Sequence, residues 1–268
     1  MKTLIHLSDL HFGKTDGQLV EAIATEVRAV GPDLVVVSGD LTQRARKDEF
    51  LQARTFLDSL PGPRLVVPGN HDVPLYNVFA RALKPLSRYK RYIEADTDPF
   101  YADAELAVVG INTARSLTIK DGRINRRQLE AATAKFAHLS DEITRVVVTH
   151  HPFEGLDLDS DDGIVGRASL AMGAFAGSRV DMILSGHQHL HRANSSATRY
   201  LIDGYAALLV QAGTAVSSRR RHAANSFNII RIQRPEITVE CRAWQPSQAA
   251  FATAARSSFR LGQNGWEA

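Results

Sequence analysis

Apolar residues recur in two alternating rhythms through the first two thirds of the chain. Residues 4–7 and 34–37 are short apolar runs of strand length, and between them Leu19, Val20, Ile23, Val27 and Val30 repeat at helical spacing. Asp16 can cap that helix and Gly31-Pro32 stops it. The pattern then repeats: Phe50, Leu57 and Leu60 mark one face of a helix over 48–60, Pro61-Gly62-Pro63 ends it, and 65–67 resumes as a strand. Two consecutive strand-helix-strand units are therefore predicted. Strands over 106–111, 146–149 and 180–185, with helices over 126–139 and 167–176, continue the alternation. Beyond residue 185 the texture changes, because 200–203, 206–212, 226–232 and 237–242 read as strands without helices between them. That change predicts an α/β chain with a second, mostly antiparallel sheet. Residues 246–268 carry Ser, Gln, Ala and Gly with little periodicity, so a single domain over 1–245 followed by a surface tail or late helix is expected.

Composition narrows the classes. A chain of 268 residues that is 44% hydrophobic can bury one large core. Its formal net charge is only +3, which announces neither a nucleic-acid nor a membrane partner. The single cysteine, Cys241, has no internal disulfide partner. The first apolar run is shorter than a signal-peptide core, and no stretch is long enough to cross a membrane as a helix, so a cytoplasmic protein is expected.

Chemistry concentrates where the predicted strands end. Asp9-Leu10-His11, Gly39-Asp40, Gly69-Asn70-His71-Asp72, His150-His151 and Gly186-His187-Gln188-His189 each follow an apolar run. Carboxyl ends of parallel strands line up along an edge where ligands bind, so clusters distant in sequence can meet there. Asp9 and Asp40 are 31 positions apart and Asp40 and Asn70 are 30 apart, about one strand-helix repeat each, which predicts neighbouring strands. Carboxylate, amide oxygen and imidazole together suit Fe, Mn or Zn. In an extended segment Asp9 and His11, and likewise His187 and His189, would face one cavity. The glycines before Asp40, Asn70 and His187 would let the chain turn on leaving each strand.

The blocks DLH, GDLT, GNHD, THHP and GHQH, in this order from Asp9 to His189, resemble those of the calcineurin-like metallophosphoesterase family. The resemblance implies a two-sheet β-sandwich flanked by helices, with a binuclear metal site at the carboxyl ends of strands. It implies that Asp9, His11, Asp40 and His189 hold one metal, that Asp40, Asn70, His150 and His187 hold the other, and that Asp40 bridges the two. Two cations about 3.5–4 Å apart would activate a bridging hydroxide for attack on phosphorus. His71 would not be a ligand but would assist the leaving group. All eight diagnostic side chains are present, so catalysis is expected over a non-catalytic scaffold. The blocks look most like those of bacterial cyclic-nucleotide and glycerophosphodiester phosphodiesterases. The expected substrate is a small phosphodiester, with cyclic nucleotides among the candidates. A nucleotide-sugar or dinucleotide pyrophosphatase is the alternative. A nuclease is disfavoured by weak net charge and by the five acids between Glu154 and Asp162, expected to form a solvated loop at the rim. No stable nucleic-acid partner is expected, and a homo-oligomer stays open.

Other residues have plainer readings. His151 is expected beside the metal ligands rather than among them, and His191 in a structural or rim role. Asp72 either orients His71 or caps the following turn. His6, His138 and His222 are read as core or surface residues. The run Arg219-Arg220-Arg221 is read as a solvated face, with contact to a substrate phosphate as the competing role.

Overall fold

The computed structural model describes all residues except 77, 117, 119, 158–159 and 219–222, together with all side chains among them other than those of residues 78 and 80. The basic run Arg219-Arg220-Arg221 and His222 therefore lie outside the described residues. Strands β1 (Lys2–Leu7), β2 (Leu34–Val37) and β3 (Arg64–Val66) alternate with helices α1 (Gly17–Val30) and α2 (Lys47–Asp58). Next come helices α3 (Val78–Leu83) and α4 (Ser87–Tyr92), strands β4 (Phe100–Ala102) and β5 (Leu106–Gly110), helix α5 (Arg126–Ala134), strand β6 (Thr144–Val148), helix α6 (Ala168–Gly177) and strand β7 (Met182–Ser185). The remainder is strand: β8 (Arg192–Ser195), β9 (Leu208–Gln211), β10 (Ser226–Gln233), β11 (Glu236–Gln245), β12 (Ala250–Gly262) and β13 (Gly265–Glu267).

These strands form two sheets, ordered β13-β12-β11-β10-β1-β2-β3 and β4-β5-β6-β7-β9-β8. β1, β2 and β3 are parallel neighbours, and so are β5, β6, β7 and β9. The pleat sends alternate side chains of β1 and β2 to opposite faces. Leu4, Leu34 and Val36 meet Val108, Val146, Val148 and Leu184 between the sheets, whereas Ile5, Leu7, Val35 and Val37 pack outward with Leu19, Ile23 and Val27 of α1 and Phe50 of α2. On the far side Val147 and Ile183 pack with Leu129, Met172 and Phe175 of α5 and α6. Helix, sheet, sheet and helix thus stack as layers. Both ends of α1 follow from sequence: Asp16 Oδ1 accepts from the Gln18 amide at 2.9 Å, and Gly31 takes the left-handed conformation (φ 58°) that lets its N–H reach Val27 O at 3.1 Å.

Three expectations are corrected. The late strands do not make a sheet of their own. β10 pairs antiparallel with the free edge of β1 and leads β11–β13 outward, while β9 joins β7 in the other sheet. Residues 246–268, expected as a tail or helix, supply β12 and β13, and Phe251, Phe259 and Trp266 are buried. Their periodicity escapes notice because one face of β12 is small or polar, which is normal for the solvent face of an antiparallel sheet. Residues 200–203 form no strand: they turn at Gly204 (φ 65°), leaving Leu201 exposed while Tyr200 Oη donates to Phe153 O at 2.6 Å.

Asp181 ties the two sheets together below the site. Its carboxylate accepts from the Arg145 amide at 2.8 Å, from Arg234 Nη1 at 2.9 Å and from Trp266 Nε1 at 2.9 Å, and it is buried. Asp181→Ala leaves three donors unpaired, one of them charged. A loss of about 3–5 kcal/mol in unfolding free energy is expected, read as a lower urea midpoint at unchanged slope. A midpoint equal to the parent's would show that the clasp is idle.

Candidate metal centre

Five loops converge where β1, β2 and β3 of one sheet and β6 and β7 of the other end. Sequence reasoning pictured Asp9 with His11, and His187 with His189, as pairs on extended backbone. The structure instead places all four, and Asp40, in the left-handed region, with φ between 51° and 72°. Such strain in non-glycine residues clusters at functional sites when surrounding bonds over-determine it. Here the Asp9 amide donates to Gly39 O at 3.0 Å, the His11 amide to Asp40 O at 2.9 Å and the His187 amide to Asp9 Oδ2 at 2.9 Å.

The glycines act mainly by lacking a side chain. Gly39 does adopt a positive φ of 94°, but Gly69 and Gly186 do not. A Cβ on Gly69 would stand 2.1 Å from Asp40 Oδ1 and 2.3 Å from its amide nitrogen, and one on Gly186 would stand 1.8 Å from Ser8 Oγ. Gly69→Ala should therefore displace Asp40 itself. The expected outcome is a protein that folds but has lost at least about 100-fold in cation affinity, measured by titration. Retention of parental affinity would contradict this crowding.

The side chains fall into two groups. In the first, His189 Nε2 lies 3.1 Å from Asp9 Oδ1, and His11 Nε2 lies 3.4 Å from His189 Nε2, 3.7 Å from Asp9 Oδ1 and 3.8 Å from Asp40 Oδ2. In the second, His150 Nε2 lies 3.4 Å from Asp40 Oδ1 and 3.0 Å from Asn70 Oδ1, and His187 Nδ1 lies 3.1 Å from Asn70 Oδ1 and 3.3 Å from His150 Nε2. Asp40 thus turns one oxygen to each group. Asp9, His11, Asp40, His150 and His189 are buried, and Asn70 and His187 are partly so.

One inward-facing carboxylate oxygen is left open to a cation. Asp9 Oδ2 is satisfied by Ser8 Oγ at 2.6 Å and by the His187 amide, yet buried Asp9 Oδ1 has no hydrogen-bond donor among the described residues. His150 Nδ1–H donates to Ser38 O at 2.8 Å, so Nε2 is the ring nitrogen that faces the oxygens of Asn70 and Asp40, where a bound cation would take the place of its proton. Burial opposes a charge on His150, but Asp40 overcomes it and lifts the imidazole to about 9. Burial would raise the carboxyls of Asp9 and Asp40, yet the surrounding imidazoles, His189 for Asp9 and His150 for Asp40, pull both well below the usual carboxylate range. Burial, reinforced by His150, drops His187 to about 4. The donor set fits a pair of N/O-coordinated ions, and two of the clusters able to hold one are Asp9, His11 and His189 and Asp9, Asp40 and His150.

His71 sits at the same mouth. Its amide donates to Asp40 Oδ1 at 2.8 Å, and its Nδ1 lies 2.9 Å from Gln43 O, an arrangement in which Nδ1–H donates. Asp72 does not orient that ring. Its buried carboxylate accepts from the amides of Leu41 (3.2 Å), Thr42 (2.9 Å) and Gly69 (2.9 Å) and from Thr42 Oγ1 (2.9 Å), so it locks the Asp40 loop to the Asn70 loop. Burial and the nearby charge of Asp40 push Asp72 up to about 6.

His151 has both ring nitrogens engaged, Nδ1 with Thr113 Oγ1 at 2.7 Å and Nε2 with Lys120 O at 2.8 Å. Lys120 O can only accept, so Nε2 carries the proton and Nδ1 accepts from Thr113, which leaves no lone pair for a cation. His191 Nδ1 binds Asn228 Oδ1 at 2.9 Å, and His6 Nε2 binds Ser38 Oγ at 2.9 Å beneath the site. Glu154 departs from the solvated loop expected of it: it is buried and accepts from Asn194 Nδ2 at 3.0 Å, whereas Asp157, Asp161 and Asp162 are exposed. Ser8, Gln43, Thr113 and Lys120 were not singled out by sequence. Ser8 adjoins a block and could have been flagged, but Lys120 acts through its backbone carbonyl, and so, at the shorter of its two contacts with His71, does Gln43, which no side-chain pattern reveals.

An αββα sandwich with buried carboxylates, an amide and imidazoles at its strand ends defines a class of metal-site proteins. Within it the chain belongs to the calcineurin-like phosphoesterase family, whose model matches residues 2–191. It is 36% identical over 94 residues to a glycerophosphodiester phosphodiesterase from Enterobacter lignolyticus, spanning 31% of this chain and a third (33%) of that protein. It is 23% identical over 199 residues to a probable cyclic nucleotide phosphodiesterase from Synechococcus, spanning 70% of this chain and 73% of that protein. The fold superposes on a purple acid phosphatase from yellow lupin with a TM-score of 0.69 at 12% identity, covering 96% of this chain and 53% of that one. Among the described residues no helix is long and apolar enough to cross a membrane.

Proposed function

We propose that the chain is a metal-dependent phosphodiesterase acting on a small phosphodiester. The carrying observation is that Asp40 presents Oδ2 to the Asp9, His11 and His189 group and Oδ1 to the Asn70, His150 and His187 group. Asp9, His11, Asp40 and His189 would hold one ion, and Asp40, Asn70, His150 and His187 the other, drawn from Fe, Mn or Zn. Ions bound there supply an acidified water nucleophile and neutralise charge on the phosphoryl group. The protein's own part is placement. Ser8 and the His187 amide fix Asp9 so that Oδ1 points inward, and Ser38 O fixes the tautomer of His150. Gln43 O holds the Nδ1–H of His71, orienting the ring so that, in its doubly protonated form, Nε2–H can give a proton to the departing alkoxide and leave the ring neutral. Burial keeps bulk water from competing for the inward lone pairs. The two phosphodiesterases above support a diester over a monoester.

The test is a panel with Mn, Fe or Zn added: cyclic nucleotides, glycerophosphodiesters, pyrophosphate-linked nucleotides and simple monoesters. Hydrolysis of a diester faster than of monoesters or pyrophosphates, abolished by chelator, is expected. Preference for the pyrophosphates would favour the dinucleotide or nucleotide-sugar alternative, and no turnover with any metal would overturn the reading.

A further inference from the structure

We infer that Tyr76, backed by Arg44, is a stacking platform at the leaving-group side of the site and selects substrates whose organic arm carries a planar ring of nucleobase type. This rests on the phosphodiesterase reading for its location beside His71.

Tyr76 is 76% exposed, and three residues further on Phe79 is 83% exposed. Single exposed apolar residues are ordinary. Two features set this pair apart. First, the guanidinium of Arg44 lies over the Tyr76 ring, 5.3 Å from its centroid, and Arg44 follows directly on Gln43, whose carbonyl holds His71. The ring is therefore backed by a cation and tied through two chain neighbours to the group that faces the departing oxygen. Second, Arg81, on the helix that carries Phe79, is tied to its surroundings. Arg81 Nη1 donates to Pro74 O at 3.2 Å, Nε donates to Ser116 O at 2.6 Å, and Nη2 donates to Thr118 O. One side chain thus joins Pro74 and α3 to Ser116 and Thr118, and the neighbouring Thr113 and Lys120 grip His151.

The chemistry of that surface is selective. A ring backed by a guanidinium offers dispersion and π contact to a planar, weakly polar ligand, and the cation strengthens contact with an electron-rich ring. A glycerol or ethanolamine arm has no flat face to offer. The three exposed acids Asp157, Asp161 and Asp162 stand in another loop, fastened by Arg192 to the β8 edge through Gly155 O at 2.6 Å and Leu156 O at 2.9 Å.

The test compares two phosphate monoesters of like charge, adenosine monophosphate and glycerol 3-phosphate, by calorimetric titration into the Mn-loaded protein. The parent should bind the nucleotide at least about tenfold more tightly than glycerol 3-phosphate, the size expected of one base-aromatic stack. In Tyr76→Ala that ratio should fall to about twofold or less, and Tyr76→Phe should restore it. Equal affinities in the parent, or a ratio that survives Tyr76→Ala, would overturn the platform. Because Tyr76 is exposed, loss of fold does not confound the variant, and far-UV circular dichroism checks this. The two readings fail separately: a parent that cleaves no diester yet binds the nucleotide through Tyr76 would sink the phosphodiesterase reading and leave the platform standing.

Discussion

Asp40→Ala is expected to abolish phosphodiester turnover, by about 10⁴-fold or more, while leaving the fold in place. Asp40 is the one side chain shared by both clusters, so its loss removes a donor from each. Two metal contributions of several kcal/mol are then impaired together, and about 5.5 kcal/mol corresponds to that factor. The fold should persist because β1, β2 and β3 are held by backbone pairing and by a core that Asp40 does not enter. Burial opposes its charge, but the imidazole of His150 outweighs that cost, so the metal-free variant should lose some stability without losing the fold. Added Mn should raise the melting temperature of the parent but not of the variant, since only a protein that binds the ion is stabilised by it. Unchanged metal content and turnover in Asp40→Ala would contradict the assignment at its root.

The second large effect concerns His71. His71→Ala should retain metal, because the ring is not among the proposed ligands and the backbone amide that donates to Asp40 Oδ1 survives the substitution. Turnover of an alkyl diester should fall by hundreds-fold, within the range of about 10² to 10⁴ for a lost general acid. An aryl diester such as bis(p-nitrophenyl) phosphate, whose leaving group needs no proton, should lose about tenfold or less. Equal losses on the two substrates would assign His71 to phosphate binding instead of proton donation.

Much of this was legible in the residues. The 31- and 30-residue intervals from Asp9 to Asp40 to Asn70 do correspond to neighbouring strands β1, β2 and β3. Asp16 and Gly31 bound α1 as their chemistry requires. The eight side chains singled out from the five blocks all meet at one mouth. The local backbone was not legible: Asp9, His11, Asp40, His187 and His189 take left-handed conformations that their residue types disfavour, imposed by cross-loop hydrogen bonds. The glycines were read as turn residues, but Gly69 and Gly186 matter because Asp40 and Ser8 occupy the space of a side chain. Such exclusion is a tertiary fact.

The late strands show another limit. The reading of 226–232 and 237–242 as strands without a helix between them located β10 and β11, yet nothing local says that β10 will close onto β1 and not onto a separate sheet. β12 is the longest strand and was missed, because its exposed face reads Thr, Ala, Arg and Ser while Phe251 and Phe259 lie too far apart to show a rhythm. Glu154 was grouped with its acidic neighbours by composition, although a buried carboxylate paired with Asn194 differs from a solvated one only in its surroundings.

The central claim is tested most directly by anomalous diffraction from crystals of the Mn-loaded protein. Two separate peaks are predicted, one touching Asp40 Oδ2 with Asp9, His11 and His189, the other touching Asp40 Oδ1 with Asn70, His150 and His187. A single peak, or two that do not share Asp40, would contradict it.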